Sequence, residues 1–402
     1  MKRYNKIYVS LFFIIILLPS FLMFFVHADV TIENRALTEW PTKINALKEY
    51  ESAILDRIAF RKEIIQISSL IDYKLFRKSI TQDVIIGKNG QLFYAGGDYK
   101  KDMKGELKLT GEQINAIVDV QNEIVNQMNK RNIKYVIVVA PDKHNIYIDD
   151  VPDAYKNKNN SPTAKEQVLE ALKARSNVEV LDLQDVMFSA TRNEQTYLKT
   201  DSHWNQDGAF IGYKEIMKYL MNYYPNIKML DKKDFTVSYK SENNQNLAKM
   251  LSLGNLLYDY NSVRYFPLNP GEGIVEDFNP GYPDPNWYSP EFYMINTRQD
   301  DTTLPRVVMY RDSFAGLDGW LIGNLNRYIS VNCSQFASYS THQIDFNYID
   351  TEKANVVIYE LLESNILHLA INWLDNNELS KDKPLYRYNT PLNGDYYIDD
   401  KK

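Results

Sequence analysis

Apolar residues recur along the chain with two alternating periods. Gly111–Arg131 has helical spacing, Tyr135–Ala140 is a buried-strand run, Thr163–Ala174 is helical again, and Val178–Leu183 reads as a second strand. Gln206–Met221 follows as an amphipathic helix, with Phe210, Tyr213, Ile216, Met217, Leu220 and Met221 on its apolar stripe. Arg306–Tyr310, Tyr328–Val331 and Asn355–Tyr359 predict three more strands, with helix-like stretches at Leu317–Asn324 and Ser364–Leu374. Helices alternating with short apolar strands predict an α/β fold whose mostly parallel sheet is covered on both faces. Sites in such sheets lie beyond the carboxyl ends of the strands. Ala140-Pro141-Asp142-Lys143 and Asp312-Ser313 both follow strands in that sense and are expected on one rim, as are Glu360 and Glu363 after the last strand.

The beginning of the chain has a different pattern. Lys2, Arg3 and Lys6 precede an apolar run from Ile7 to Val26, long enough to cross a bilayer core of about 30 Å. Basic residues ahead of the run predict a single-pass signal anchor over residues 1–28, with the remainder outside the cytoplasm. The competing expectation is secretion after cleavage, since Val26-His27-Ala28 is a weak cleavage pattern and Pro19 interrupts the run. Residues 29–110 read as a helical and hairpin lead-in packed on a catalytic domain at 111–402. Leu47, Tyr50, Ile54 and Ile58 form one helical stripe, Ile64, Ile65, Leu70, Ile71 and Leu75 another, and Val84–Tyr94 is a hairpin turning at Asn89-Gly90.

An insertion at 226–299 breaks the alternation with Asn269-Pro270-Gly271, Asn279-Pro280-Gly281 and Asp284-Pro285-Asn286. It is either a wall for an extended substrate or a structural excursion on the sheet edge. As a wall, it would offer Tyr282, Trp287 and Tyr288 to a substrate, and Lys143 is a further candidate contact. Ring faces stack on apolar sugar faces, although abundant tyrosine and asparagine also follow from base composition. A net charge of −6 excludes a generic nucleic-acid surface. Cys333 stands alone, so neither an intramolecular disulfide nor a cysteine-built zinc site is available.

Two short segments carry the candidate chemistry. Thr200–Gly208, TDSHWNQDG, places Asp201 two residues before His203, ahead of a helix that Asn205 is suited to cap. An isolated Asp-x-His is more often a turn acid beside a surface histidine. Arg311-Asp312-Ser313-Phe314 sits at the end of the Arg306–Tyr310 strand, where a serine has backbone N–H groups nearby for attack and oxyanion stabilisation, or simply caps a helix. Together they supply a serine nucleophile, an imidazole base and an orienting carboxylate: Ser313, His203 and Asp201. There is no G-x-S-x-G elbow, Walker A loop, H-E-x-x-H or dinucleotide fingerprint, so the expected chemistry needs no cofactor and no metal.

Asp201-Ser202-His203-Trp204 followed by Arg311-Asp312-Ser313-Phe314 resembles the alginate O-acetyltransferase family, the AlgJ- and AlgX-like members of the SGNH-hydrolase superfamily that include the DHHW proteins. Glu33-Asn34-Arg35, Gly87–Tyr94 and Ala140–Lys143 share in the resemblance. It departs at Arg311, where the family often has glycine. The resemblance implies an SGNH-like three-layer α/β/α fold with permuted motif order, and O-acetylation of an extracellular or cell-envelope polysaccharide through an acyl-serine. It also implies a membrane-bound O-acyltransferase as acetyl supplier. A carbohydrate acetylesterase with the same triad, and a non-catalytic polysaccharide-binding scaffold, remain the alternatives.

Overall fold

A strand covered on both faces must be apolar at both sets of alternating positions, and the central strands of this chain meet that requirement. The computed structural model describes residues 2–22, 25, 37–42, 46–267, 275–277, 293–297, 301–315, 325–339 and 344–370. The strands are β1 (Val84–Ile86), β2 (Leu92–Tyr94), β3 (Lys134–Ala140), β4 (Glu179–Asp182), β5 (Phe235–Asn243), β6 (Tyr258–Pro267), β7 (Val275–Asp277), β8 (Tyr293–Thr297), β9 (Arg306–Tyr310), β10 (Gln335–Tyr339) and β11 (Val356–Leu362). Seven of them form one sheet in the order β4-β3-β11-β9-β10-β8-β7. The first five run parallel, and β8 and β7 extend the edge antiparallel.

One face presents Val136, Val138, Val307, Met309, Phe336, Val356 and Ile358 to the helix Gln206–Met221 and the helix Leu325–Ser330. The opposite face presents Tyr135, Ile137, Val139, Val308, Tyr310, Val357 and Tyr359 to the helices Gly111–Lys130 and Ala164–Arg175. The result is the expected SGNH-like three-layer arrangement. Each long helix starts where its cap dictates. Thr110 with Gln113 and Thr163 with Glu166 form capping boxes, and Asn205 accepts from the Gly208 N–H.

Two expectations are corrected. Tyr328–Val331 is not a strand: Leu325, Tyr328 and Ile329 lie on one buried face of the helix Leu325–Ser330, and the strand is Gln335–Tyr339. A short apolar run does not distinguish helix from strand, and the true strand hides behind polar Gln335 and Ser338. Glu360 does not follow the last strand but lies within β11, fully buried. Of the predicted helical segments, Leu317–Asn324 lies outside the described residues, and Ser364–Leu374 is replaced by a 3-10 helix over Glu363–Ala370, with residues beyond 370 outside the description.

The lead-in contains the helices Leu47–Arg57 and Arg61–Ile71 and the hairpin β1–β2. Asn89 and Gly90 at its turn have φ of 52° and 79°, the left-handed pair that an Asn-Gly turn supplies. Tyr73, Val84, Ile86 and Leu92 pack against Leu247, Ala248, Leu251 and Leu253, joining the lead-in to the insertion. The insertion folds as the hairpin β5–β6 around a short helix, Asn246–Met250, and then supplies β7 and β8 to the sheet edge. Among the described residues no helix is long and apolar enough to cross a membrane. The helix Lys2–Leu22 does form, with Ile7, Phe12, Ile15 and Leu17 exposed. The Val26-His27-Ala28 pattern and Glu33-Asn34-Arg35 lie outside the described residues.

Candidate active site

The Asp-x-His segment is the tip of a tight loop. An antiparallel bridge pairs Tyr197 with Trp204, and the Asn205 N–H donates to the Thr196 carbonyl at 2.9 Å. The helix beginning at Gln206 comes so near that a Cβ on Gly208 would sit 2.4 Å from the Thr196 oxygen, which accounts for the glycine. Trp204, fully buried, docks this loop onto the serine turn. Its Nε1–H donates to the Phe314 carbonyl at 2.9 Å, and its ring meets the Phe314 ring edge-on at 5.2 Å. Phe314 in turn lies 4.9 Å from the His203 ring. A Trp204→Phe substitution keeps a ring but leaves a buried carbonyl without its donor, which costs about 1–3 kcal/mol. A lower urea midpoint with an unchanged slope is the expected result.

Docked in this way, the three side chains form one hydrogen-bonded line. His203 Nε2 is 2.7 Å from Ser313 Oγ, and His203 Nδ1 is 2.7 Å from Asp201 Oδ1. With Nδ1–H given to the carboxylate, Nε2 is the acceptor that faces the hydroxyl. The same Oδ1 accepts from the His203 N–H at 2.9 Å, and Oδ2 accepts from the Asn246 N–H at 2.9 Å. Asp201 is buried and Ser313 exposed. Burial alone would push the Asp201 carboxyl up; the hydrogen bond and charge of His203, with the N–H groups of Asn246 and His203, outweigh it and hold the group below its ordinary value.

Ser313 opens a 3-10 turn, Ser313–Ala315, directly after β9. Asp312 fixes that turn: Oδ1 accepts from the Phe314 N–H at 2.9 Å, and Oδ2 accepts from the Leu362 N–H at 2.7 Å and the Asn365 amide at 3.3 Å. The Phe314 N–H, the first after the serine, is therefore engaged and not free for an oxyanion. Burial, reinforced by the Asp312 charge, pushes the Glu360 carboxyl well above the ordinary carboxylate range. Arg311, in the position of the family's glycine, turns away from Ser313: its guanidinium donates to Ser338 Oγ at 3.2 Å and to the Asp312 carbonyl at 3.2 Å.

Lys143 is corrected by the structure. A candidate substrate contact from the sequence, it is buried, and its ammonium points inward among backbone carbonyls. Tyr282, Trp287 and Tyr288 lie outside the described residues. Among the described residues one group has metal-ligand geometry: Asp142, His144 and Glu363 bring ligand atoms within 4.8 Å of one another, all buried. The Lys165 ammonium, 2.7 Å from Glu363 Oε2, already supplies a cation there. Asn246, Asn365 and Asp259 were not singled out from the sequence; Asn246 meets Asp201 through its backbone N–H, which carries no residue signature.

The family described as "SGNH hydrolase-like domain, acetyltransferase AlgX" matches residues 84–266, a stretch that includes Asp201 and His203 and ends before Ser313. The probable alginate O-acetylase AlgJ of Pseudomonas aeruginosa is 25% identical over 142 residues, 35% of this chain and 33% of that protein. Over these stretches the chain is similar to the AlgJ- and AlgX-like proteins. The AlgJ-like match to the probable alginate O-acetylase of Pseudomonas fluorescens is 24% over 227 residues, 54% of this chain and 52% of that one. The AlgJ/AlgX-like chain thus spans between a third and about half of the length of these relatives. Its fold is similar to that of Bacillus cereus PatB1, solved with a sulfonyl adduct, with a TM-score of 0.52 at 16% identity, covering 71% of this chain and 97% of that one.

Proposed function

We propose that this AlgJ/AlgX-like chain is a serine-dependent O-acetyltransferase acting on an extracellular or cell-envelope polysaccharide. The observation that carries the reading is the continuous line from the buried Asp201 carboxylate through His203 to the exposed Ser313 hydroxyl. His203 Nε2 takes the Ser313 proton as Oγ attacks the acyl carbonyl, and Asp201 stabilises the imidazolium that forms. The imidazolium returns the proton to the leaving group, which leaves an acyl-serine. A sugar hydroxyl then attacks that ester, giving its proton to the same ring nitrogen, and collapse transfers the acyl group to the sugar and restores Ser313. Similarity to probable alginate O-acetylases supports acetyl as the group and a polymer as the acceptor.

The apolar run from Ile7 to Val26, which extends past the described helix and follows Lys2, Arg3 and Lys6, supports a single-pass anchor that holds the catalytic domain outside the cytoplasm. There a membrane-bound O-acyltransferase would supply the acetyl group. One observation favours a second reading: exposed Ser313 is open to water as well as to a sugar, so hydrolysis by an acetylesterase uses the same groups. The test is incubation with 4-nitrophenyl acetate, with and without acceptor oligosaccharides, followed by mass spectrometry. Acetylated sugar and an acetyl group on the Ser313 peptide are expected. Free acetate as the sole product under all acceptors would favour the esterase, and an acetyl-free Ser313 throughout turnover would sink both.

A further inference from the structure

Between Leu198 and His203 the chain forms neither helix nor strand, and its carbonyls are paired piecemeal: that of Lys199 accepts from the Leu92 N–H at 2.8 Å and that of Thr200 from the Ala248 N–H at 3.2 Å. Lys143, which opens the short helix Lys143–Ile146 after β3, adds a charged donor to three of them and to Leu92. Its Nζ lies 2.8 Å from the Leu92 carbonyl oxygen, 2.6 Å from that of Leu198, 2.8 Å from that of Lys199 and 3.0 Å from that of Asp201. An ammonium has three N–H donors, so four oxygens share three protons and the group is held by charge as well as by direction. Such a shell of carbonyls is what a dehydrated monovalent cation receives. The same segment is held through its N–H groups by Asp259, whose carboxylate accepts from the Lys199 N–H, from the Thr200 N–H at 3.0 Å and from the Thr200 hydroxyl. Burial lowers the Lys143 pKa to about 7, although Asp259, Asp201 and Asp150 draw it back up.

We infer that Lys143 and Asp259 position the acid–imidazole pair, the lysine as an internal cation gripping the carbonyls of Leu198, Lys199 and Asp201 and the aspartate gripping the N–H groups of Lys199 and Thr200. The inference rests on the catalytic reading above, and neither residue touches a reacting atom. A displacement of about 1 Å at a catalytic group costs about a hundredfold in rate. In the full chain, Lys143→Ala and Asp259→Asn are therefore expected to lower kcat for 4-nitrophenyl acetate about 10- to 100-fold with KM unchanged.

They are also expected to weaken the low-field proton NMR signal of the His203–Asp201 hydrogen bond. Added ammonium ion should restore both readouts in Lys143→Ala, while tetramethylammonium, too large for the shell, should restore neither. A folded variant with parental kcat and parental signal, a change confined to KM, or equal rescue by tetramethylammonium would overturn the inference. Should Lys143→Ala fail to fold by circular dichroism, Asp259→Asn carries the test. If the parent itself lacks Ser313-dependent turnover, the catalytic reading fails, while the low-field signal still decides whether the two residues hold the pair.

Discussion

Ser313→Ala is expected to lower kcat/KM for an activated acetyl ester by about ten-thousand-fold or more, since a group that forms the covalent intermediate has no substitute in the site. The His203 ring is 2.7 Å from the serine oxygen, so His203→Ala removes the base from the same step and should cost a similar amount. The double variant should be little worse than either single one, because nucleophile and base act as a unit. Initial rates on the three proteins, with circular dichroism as the folding control, are the measurement. An alanine variant retaining a tenth of the parental rate would remove Ser313 from the mechanism. The fold should barely register the change, because Ser313 is exposed and Asp312 secures the turn.

Asp201→Asn should be nearly as damaging, for a different reason. The carboxylate accepts on both oxygens, from the His203 ring and N–H on Oδ1 and from the Asn246 N–H on Oδ2. An amide has one accepting oxygen. With that oxygen on the ring, its NH2 faces the Asn246 donor; flipped, the NH2 faces Nδ1 and forces the ring proton onto Nε2, the nitrogen that must take the serine proton. The expected loss in kcat is about a thousand- to ten-thousand-fold, by analogy with the serine-protease triad. The unmet donor should also cost about 1–3 kcal/mol of stability.

The pH dependence follows from the depressed Asp201 pKa. A carboxyl held below its ordinary value contributes stability that is present above that value and is lost only as pH falls through the lower, folded one. Asp201 therefore stays ionised to lower pH than an ordinary carboxylate, and in urea melts taken at falling pH its contribution should persist through the ordinary carboxylate range and be lost only below it. The Asp201→Asn protein should lack that component of the acid destabilisation, and identical pH dependence in the two proteins would contradict the assignment.

The local pattern was a good guide wherever one element's own faces decide its structure. The stripe over Gln206–Met221 predicts a helix with the bounds observed, and Asn205 caps it as its side chain suggests. The Asn89-Gly90 turn is equally local. The pattern failed at Tyr328–Val331, where a few apolar residues satisfy either period and packing against Phe210 and Phe235 decides for helix. It also misplaced Lys143: a lysine after a strand reads as a surface contact, and only the four backbone carbonyls around its ammonium make burial of its charge tolerable. Asp259 and Asn246 were illegible because what they do depends on a loop more than 40 residues away in the chain.

By itself, the sequence determined the alternation of helices and strands, the α/β class, the order of the two chemical motifs and the residue types they contain, because periodicity and caps are properties of neighbours along the chain. Only the tertiary structure decided that groups 110 residues apart meet at hydrogen-bond distance, with Trp204 bonded to Phe314 to hold the two motifs in register. It also decided that Lys143 faces inward and that the Phe314 N–H beside Ser313 is already taken. Such outcomes depend on sheet order and burial, which set the dielectric and the competing partners of each group, and no local run of residues encodes them.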